Sequence, residues 1–166
     1  ANVEVSGSSF IANVVPEDGA GMDIRDSQLQ ISNSFFDDNS ASQGAGLMAV
    51  RSTVDIRDCE FTANTALTSS SNEEKAGGAI EFHSCPTMSV TGCEFEGNQA
   101  ETGGALCLQN PFNADSPAFD IQQCLFDSNL AQGSGGAIAI GSNSGTVDQC
   151  EFLNNAAGIQ GSAIYA

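Results

Sequence analysis

One phrase constrains this chain more than any other: a phenylalanine followed three residues later by an asparagine, six times over. The pairs are Phe10/Asn13, Phe36/Asn39, Phe61/Asn64, Phe95/Asn98, Phe126/Asn129 and Phe152/Asn155. Successive phenylalanines lie 26, 25, 34, 31 and 26 residues apart, which is the period of a solenoid coil. A unit that short cannot bury its own apolar face, so each copy must stack on the next. The 166 residues therefore predict one domain, residues 1–166, of about six coils.

Three short strand signals recur in each copy. The first alternates with period two, as in Val3-x-Val5, Leu29-x-Ile31, Val54-x-Ile56, Met88-x-Val90 and Phe119-x-Ile121. That spacing puts the apolar pair on one face and Glu4, Gln30, Asp55, Ser89 and Asp120 on the other. The second signal places a serine or cysteine two residues before each repeated phenylalanine, both expected inward. The third follows a glycine phrase, as in Gly77-Gly78-Ala79-Ile80 and Gly103-Gly104-Ala105-Leu106; its Asp23, Glu81 and Cys107 are expected outward. Helical periodicity is absent, and Asn, Gly, Ser and Asp punctuate the apolar pairs as corners. The asparagines predict a corner, because Asn tolerates left-handed backbone and its amide ladders between stacked coils. Paired glycines admit positive φ at another. The expected architecture is an all-β, single-stranded parallel β-helix with three short strands per coil.

The repeated Phe-x-x-Asn with Gly-Gly-Ala-Ile resembles the repeats of chlamydial polymorphic outer-membrane proteins and related surface β-helices. The resemblance implies a right-handed helix and a surface, adhesive or scaffolding role. The membrane barrel of that family has no counterpart in these residues, so the resemblance carries no autotransport with it.

Asp and Glu outnumber Lys and Arg by 21 to 4, for a net charge of -17. Such a surface excludes nucleic acid, whose phosphates demand Lys and Arg, and disfavours anionic membranes. It suits solubility, weakly bound Ca2+, or a basic protein partner. No apolar run reaches the 18 residues of a membrane span. A built metal site is not expected, since the chain has no Cys-x-x-Cys and one histidine, His83. No capping repeat is evident at either end, which predicts ends covered by protein neighbours or by a longer chain. Together these features favour a secreted, cell-surface or organelle-lumen setting.

Cys59, Cys93, Cys124 and Cys150 share one column, continued by Ser8 and Ser34. Strands stack about 4.8 Å apart, which suits the Cα separation of a disulfide and is slightly wide for its Cβ separation. Inter-coil disulfides and small buried thiols are both open. For catalysis, two carboxylate or cationic groupings stand out. Arg25, Arg51 and His83 fall near one corner beside Asp23 and Glu81, and Glu60 with Glu94 stack on adjacent coils at about the spacing of retaining-glycosidase acids. With no tryptophan and a single tyrosine, a sugar-stacking platform is poorly supplied. The expectation is therefore a non-enzyme with no catalytic residues, against a polysaccharide-active rival. Binding is assigned instead to two insertions, about 65–76 with Glu73, Glu74 and Lys75, and about 110–117 with Phe112 and Asp115. The chain has no Asn-x-Ser/Thr acceptor for N-glycans.

Overall fold

The corners, more than the strands, decide the shape of this chain. In the computed structural model, which describes residues 1–66, 75–110, 118–141 and 144–166, single residues of positive φ recur at corresponding places in each coil. Gly7, Asn33, Asp58, Gly92, Gln123 and Gln149 make the first corner, and Ala12, Asp38, Ala63, Gly97, Ser128 and Asn154 the second. Gly19, Gly44, Gly77, Gly103, Gly135 and Gly161 make the third, with Asp26, Arg51 and Ser84 at a fourth. One left-handed residue turns an extended chain sharply without a long loop, so each coil closes on itself.

The straight segments between corners pair only with the coils before and after. Six strands, from Asn2–Ser6 and Gln28–Ser32 through to Ser144–Asp148, form a first parallel sheet. Six three-residue strands carrying the phenylalanines, from Ser9–Ile11 to Glu151–Leu153, form a second. A third has five strands of two residues, Ser40–Ala41, Thr65–Ala66, Gln99–Ala100, Leu130–Ala131 and Ala156–Ala157. The fourth has six, from Met22–Arg25 to Ile164–Tyr165. The architecture is the expected parallel β-helix, with four strands per coil instead of three. The extra one is two residues long, too short for period-two patterning to register.

Inward positions of the four sheets make one narrow core. Leu29, Ile31, Val54, Ile56, Met88 and Val90 line it from the first sheet, and Leu47, Ile80, Phe82, Leu106 and Ile138 from the fourth. The repeated phenylalanines stack ring on ring, with centroids 4.6 to 5.0 Å apart and planes within 10° of parallel. The coil rise of about 4.8 Å sets this spacing, because each ring stands on a backbone locked in register with its neighbours. The paired glycines are demanded sterically as well as conformationally. A Cβ on Gly46 would lie 2.7 Å from the carbonyl oxygen of Ala79 in the next coil, and one on Gly78 would strike that of Gly104.

The asparagine column is a continuous ladder, and its geometry corrects one expectation. The asparagines Asn13, Asn39, Asn64, Asn98, Asn129 and Asn155 are not the left-handed residues; those are the residues just before them, such as Asp38, Ala63, Gly97 and Asn154. Each asparagine instead engages its amide with the neighbouring coils. Asn64 Nδ2 donates to Phe36 O at 2.8 Å and to Asn98 Oδ1 at 3.0 Å. Its Oδ1 accepts from the backbone N–H and the Nδ2 of Asn39, at 3.2 and 2.9 Å. Both amide protons and the carbonyl oxygen are thus satisfied where the residue is wholly buried, as burial of an amide requires.

Burial varies along the column. Asn39, Asn64, Asn98 and Asn129 are wholly buried, whereas Asn155 is only half-buried and Asn13 is exposed. Asn155 Oδ1 still accepts from the N–H and Nδ2 of Asn129, at 2.9 and 3.0 Å, and its Nδ2 donates to Phe126 O at 2.8 Å. Its rung therefore has the same acceptor and donor pattern toward the fifth coil as the inner rungs have toward their preceding coils. The phenylalanines grade in the same way: Phe36, Phe61, Phe95 and Phe126 are fully buried, while Phe10 and Phe152 are half-buried against the core.

Candidate functional site

Serine and cysteine are interchangeable parts of the same frame. Ser8 N–H donates to Ser34 Oγ at 3.2 Å, while Ser34 Oγ donates to Ser32 O two residues back. Cysteines repeat the pattern further along. Cys59 N–H reaches Cys93 Sγ at 3.5 Å, and Cys93 and Cys124 Sγ each donate to the carbonyl two residues back, at 3.4 and 3.1 Å. Cys93, Cys124 and Cys150 Sγ also lean toward a carbonyl of the preceding coil. All six cysteines stand as free thiols in this structure. A second column of the same kind, Ser27, Ser52 and Cys85, is one that the repeated phrase does not reveal. Its members do share a signal: each directly follows a left-handed residue, Asp26, Arg51 or Ser84. Burial pushes the Cys85 thiol up to about 11, and the Cys124 and Cys59 thiols together with burial raise that of Cys93. Neither is a thiolate at neutral pH, so neither is an activated nucleophile.

The cationic edge does not assemble as the spacing suggested. Arg25 and His83 both align with Val50, whereas Arg51 lies one residue later, at the left-handed corner beside Asp26. Arg51 turns to Asp26 while Arg25 pairs with Asp18 and Asp23, so the two guanidinium groups serve different carboxylates. Each arginine is held by a neighbouring carboxylate. Arg25 Nε lies 3.0 Å from Asp23 Oδ1, Arg51 Nη2 2.6 Å from Asp26 Oδ2, and Arg57 Nη2 2.8 Å from Asp55 Oδ2. The Arg51 guanidinium holds the Asp26 carboxyl below its usual range.

The outer face of the fourth sheet is largely buried. Glu81 and Cys107 are expected outward, and although they lie on the outside of the coil they are 1% and 2% exposed. Met48 and Val50 on the neighbouring strand are buried too, and Cys107 packs with Ala76 and Ala139 in a cluster separate from the main core. Only Asp23 of the three is solvated. Glu81 Oε1 lies 3.6 Å from His83 Nδ1, an ion-pair distance when the imidazole is protonated.

The second sheet presents the most distinctive open surface. Its strand register sets Glu60 directly beside Glu94 and continues that column through Phe35 on one side and Leu125 and Glu151 on the other. The parallel column runs Ile11, Asp37, Thr62, Glu96, Asp127 and Leu153. Phe35 is 46% and Ile11 57% exposed, and Leu153 at the far end 39%. A shallow depression of about 260 Å³ lies among Ser9, Ile11, Phe35, Asp37, Glu60 and Thr62. Asp127 accepts from Ser128 Oγ and Asn154 Nδ2 at 2.8 and 3.1 Å, and on the first sheet Asp55 pairs with Arg57 while Asp120 accepts from Thr146 and Gln122 at 2.6 and 2.8 Å.

Of the insertion residues, Glu73, Glu74, Phe112 and Asp115 lie outside the described residues. Lys75 is described, and its carbonyl accepts from Glu101 and Thr102 N–H at 2.9 and 3.1 Å. Among the described residues no group of three His, Cys, Asp or Glu side chains converges to hold a metal ion, and no helix is long and apolar enough to cross a membrane.

Comparison with known proteins settles the family. Residues 1–164 match the family described as right handed beta helix region. The chain belongs to that family. Its parallel coils are accordingly right-handed. It is also similar, at 28% identity over 151 residues, to metabotropic glutamate receptor-like protein R of Dictyostelium discoideum. That match covers 78% of this chain and 9% of the relative, so the chain spans a small part of that protein's length. No solved structure matches it significantly.

Proposed function

We propose that this β-helix is a non-catalytic scaffold that holds protein partners on its outward columns, inserted loops and ends, as an adhesive module or accessory subunit at a cell surface, in a secreted assembly or in an organelle lumen. The observation that carries this is the fate of the polar side chains. Amides, hydroxyls and thiols of the frame are spent on backbone ladders, each arginine is held by a carboxylate, and Glu60 and Glu94 stand on an open sheet. Catalysis by acids needs a cleft where converging groups exclude water and shift each other's protonation. The resemblance to surface β-helix repeats and the partial match to a receptor-like protein favour the same reading at the level of setting.

Lys75 is the chain's sole lysine and borders the first insertion, so an amine-reactive cross-linker samples what touches that loop. Cross-linking of the protein in its native setting, followed by mass spectrometry, is expected to join Lys75 to other proteins. A panel of uronate and neutral polysaccharides should be left intact. Turnover of any polymer that disappears in Glu60→Gln or Arg25→Ala would replace the scaffold with a polysaccharide-active enzyme.

A further inference from the structure

The outer face of the second sheet combines three properties found together on no other face among the described residues. Six of its twelve outward positions are acidic, namely Asp37, Glu60, Glu94, Glu96, Asp127 and Glu151, and none is basic. None of the six forms an ion pair with a cation among the described residues, and the three arginines are committed to aspartates elsewhere. Apolar side chains punctuate the acids along the solenoid axis, with Ile11 and Phe35 in the first two coils, Leu125 between Glu94 and Glu151 in the fifth, and Leu153 beside Asp127 in the sixth. Glu60 beside Glu94, and Glu96 beside Asp127, place like charges directly opposite each other, an arrangement that opposes sheet formation. A cationic occupant removes that repulsion.

The spacing selects the occupant's backbone. Each strand offers only two outward residues, so anything covering the whole face must run along the axis and meet one row about every 4.8 Å. An α-helix returns a side chain to the same face about every 5.4 Å, close to that rise. An extended strand returns one only about every 6.8 Å and falls out of step within two coils. We propose that this face is a docking surface for a basic amphipathic helix of a partner protein, lying along the solenoid axis. Its central turns present lysine or arginine to the Glu60, Glu94 and Glu96 carboxylates. Its outer turns present apolar side chains to Phe35 and Leu125. This assignment rests on the scaffold reading above and names the kind of partner that one face takes. From the second coil to the sixth the acids span about 19 Å of axis, which asks for roughly 13 helical residues.

The probe is a synthetic 18-residue helical peptide with lysines on one face of its central turns and leucines on that face at both ends. Its binding to the intact protein is followed by fluorescence anisotropy. Binding is expected to weaken at least tenfold in Glu60→Gln/Glu94→Gln/Glu96→Gln and in Phe35→Ser. It should change less than twofold in Glu4→Gln/Glu17→Gln/Asp148→Asn, which removes as much charge elsewhere. Circular dichroism and melting identify any variant that misfolds, and the conservative Glu→Gln changes on exposed positions keep the test alive if Phe35→Ser does. The assignment is overturned if a scrambled peptide of equal charge, or an alternating extended one, binds as tightly. It is equally overturned if both triple variants lose binding alike, or if Ca2+ alone binds the face and displaces the peptide. Failure here with Lys75 cross-links intact removes this surface and leaves the scaffold, whereas polysaccharide turnover removes the scaffold itself.

Discussion

At the residue scale, cysteine serves this chain as a serine analogue. The Cys59, Cys93, Cys124 and Cys150 thiols take over the position and hydrogen bonds that Ser8 and Ser34 hold in the first two coils. A donor is needed there because the residue just before is left-handed, and the carbonyl two positions back turns into the coil. Cys124→Ser is therefore expected to change stability by no more than about 1 kcal/mol, the scale of one neutral hydrogen bond exchanged for another. Cys124→Val, of similar size, removes the thiol's hydrogen bond to the Gln122 carbonyl, which keeps only the Gly92 N–H, and should cost more, about 0.5–1.5 kcal/mol. Urea midpoints for the two variants check this. Equal losses would mean the column is held by packing alone. The same scale explains the error over the asparagines. Asn is a good left-handed residue in general, but the burial of its amide in a ladder outweighs that preference and passes the corner to its neighbour.

At the scale of the element, the ladder and the phenylalanine stack are the units that coils add one by one. Removing one rung from the middle affects three coils. Asn98→Ala deprives Asn64 N–H, Asn64 Nδ2, Phe61 O and Asn129 Oδ1 of a partner. At about 1–3 kcal/mol for each buried polar group left without a partner, with some relaxation, the loss should reach several kcal/mol. Asn13→Ala, at the exposed first rung, should cost much less, and Asn155→Ala, at the half-buried last rung, should fall between the two. Chemical denaturation of the three variants measures the difference. Comparable losses would show that rungs do not act through burial. The fourth sheet teaches a different lesson about elements. Period-two alternation correctly assigns which residues of Ile80–His83 face in and out, but facing out of the coil is not the same as facing water. Glu81 and Cys107 lie on the outside of the coil and are nonetheless buried.

Across the whole molecule, charge opposes what stacking builds. The net charge is -17, and stacking places several carboxylates in adjacent rows of the second sheet. Self-repulsion of this kind is screened by salt, and the exposed arginine pairs that salt also weakens contribute little. Stability at pH 7 should therefore rise as NaCl goes from about 0.05 to about 0.5 M, where the screening length falls severalfold. The urea midpoint at constant m-value reports it. A fall with salt would show that the ion pairs outweigh the repulsion. A basic partner on the second sheet should act in the same direction as salt.

The sequence by itself determined the repeat, its six copies, the inward phenylalanines and the parallel stacking, because these follow from period and polarity, which are local. It also left the outward columns and loops as the place where function is expected. What tertiary structure alone decided was alignment to the single residue. Arg51 falls one position out of line with Arg25 and His83, Cys85 joins a second corner column, and Glu60 and Glu94 land in an acidic face punctuated by apolar side chains. Burial along the ladder was likewise a tertiary matter: Asn155 carries the same local phrase as Asn98 and yet is half-buried where Asn98 is wholly buried. In a stacked solenoid a shift of one residue turns a side chain from one face to the other. Such an offset costs almost nothing in a pattern read by eye, and it reassigns the chemistry of a surface.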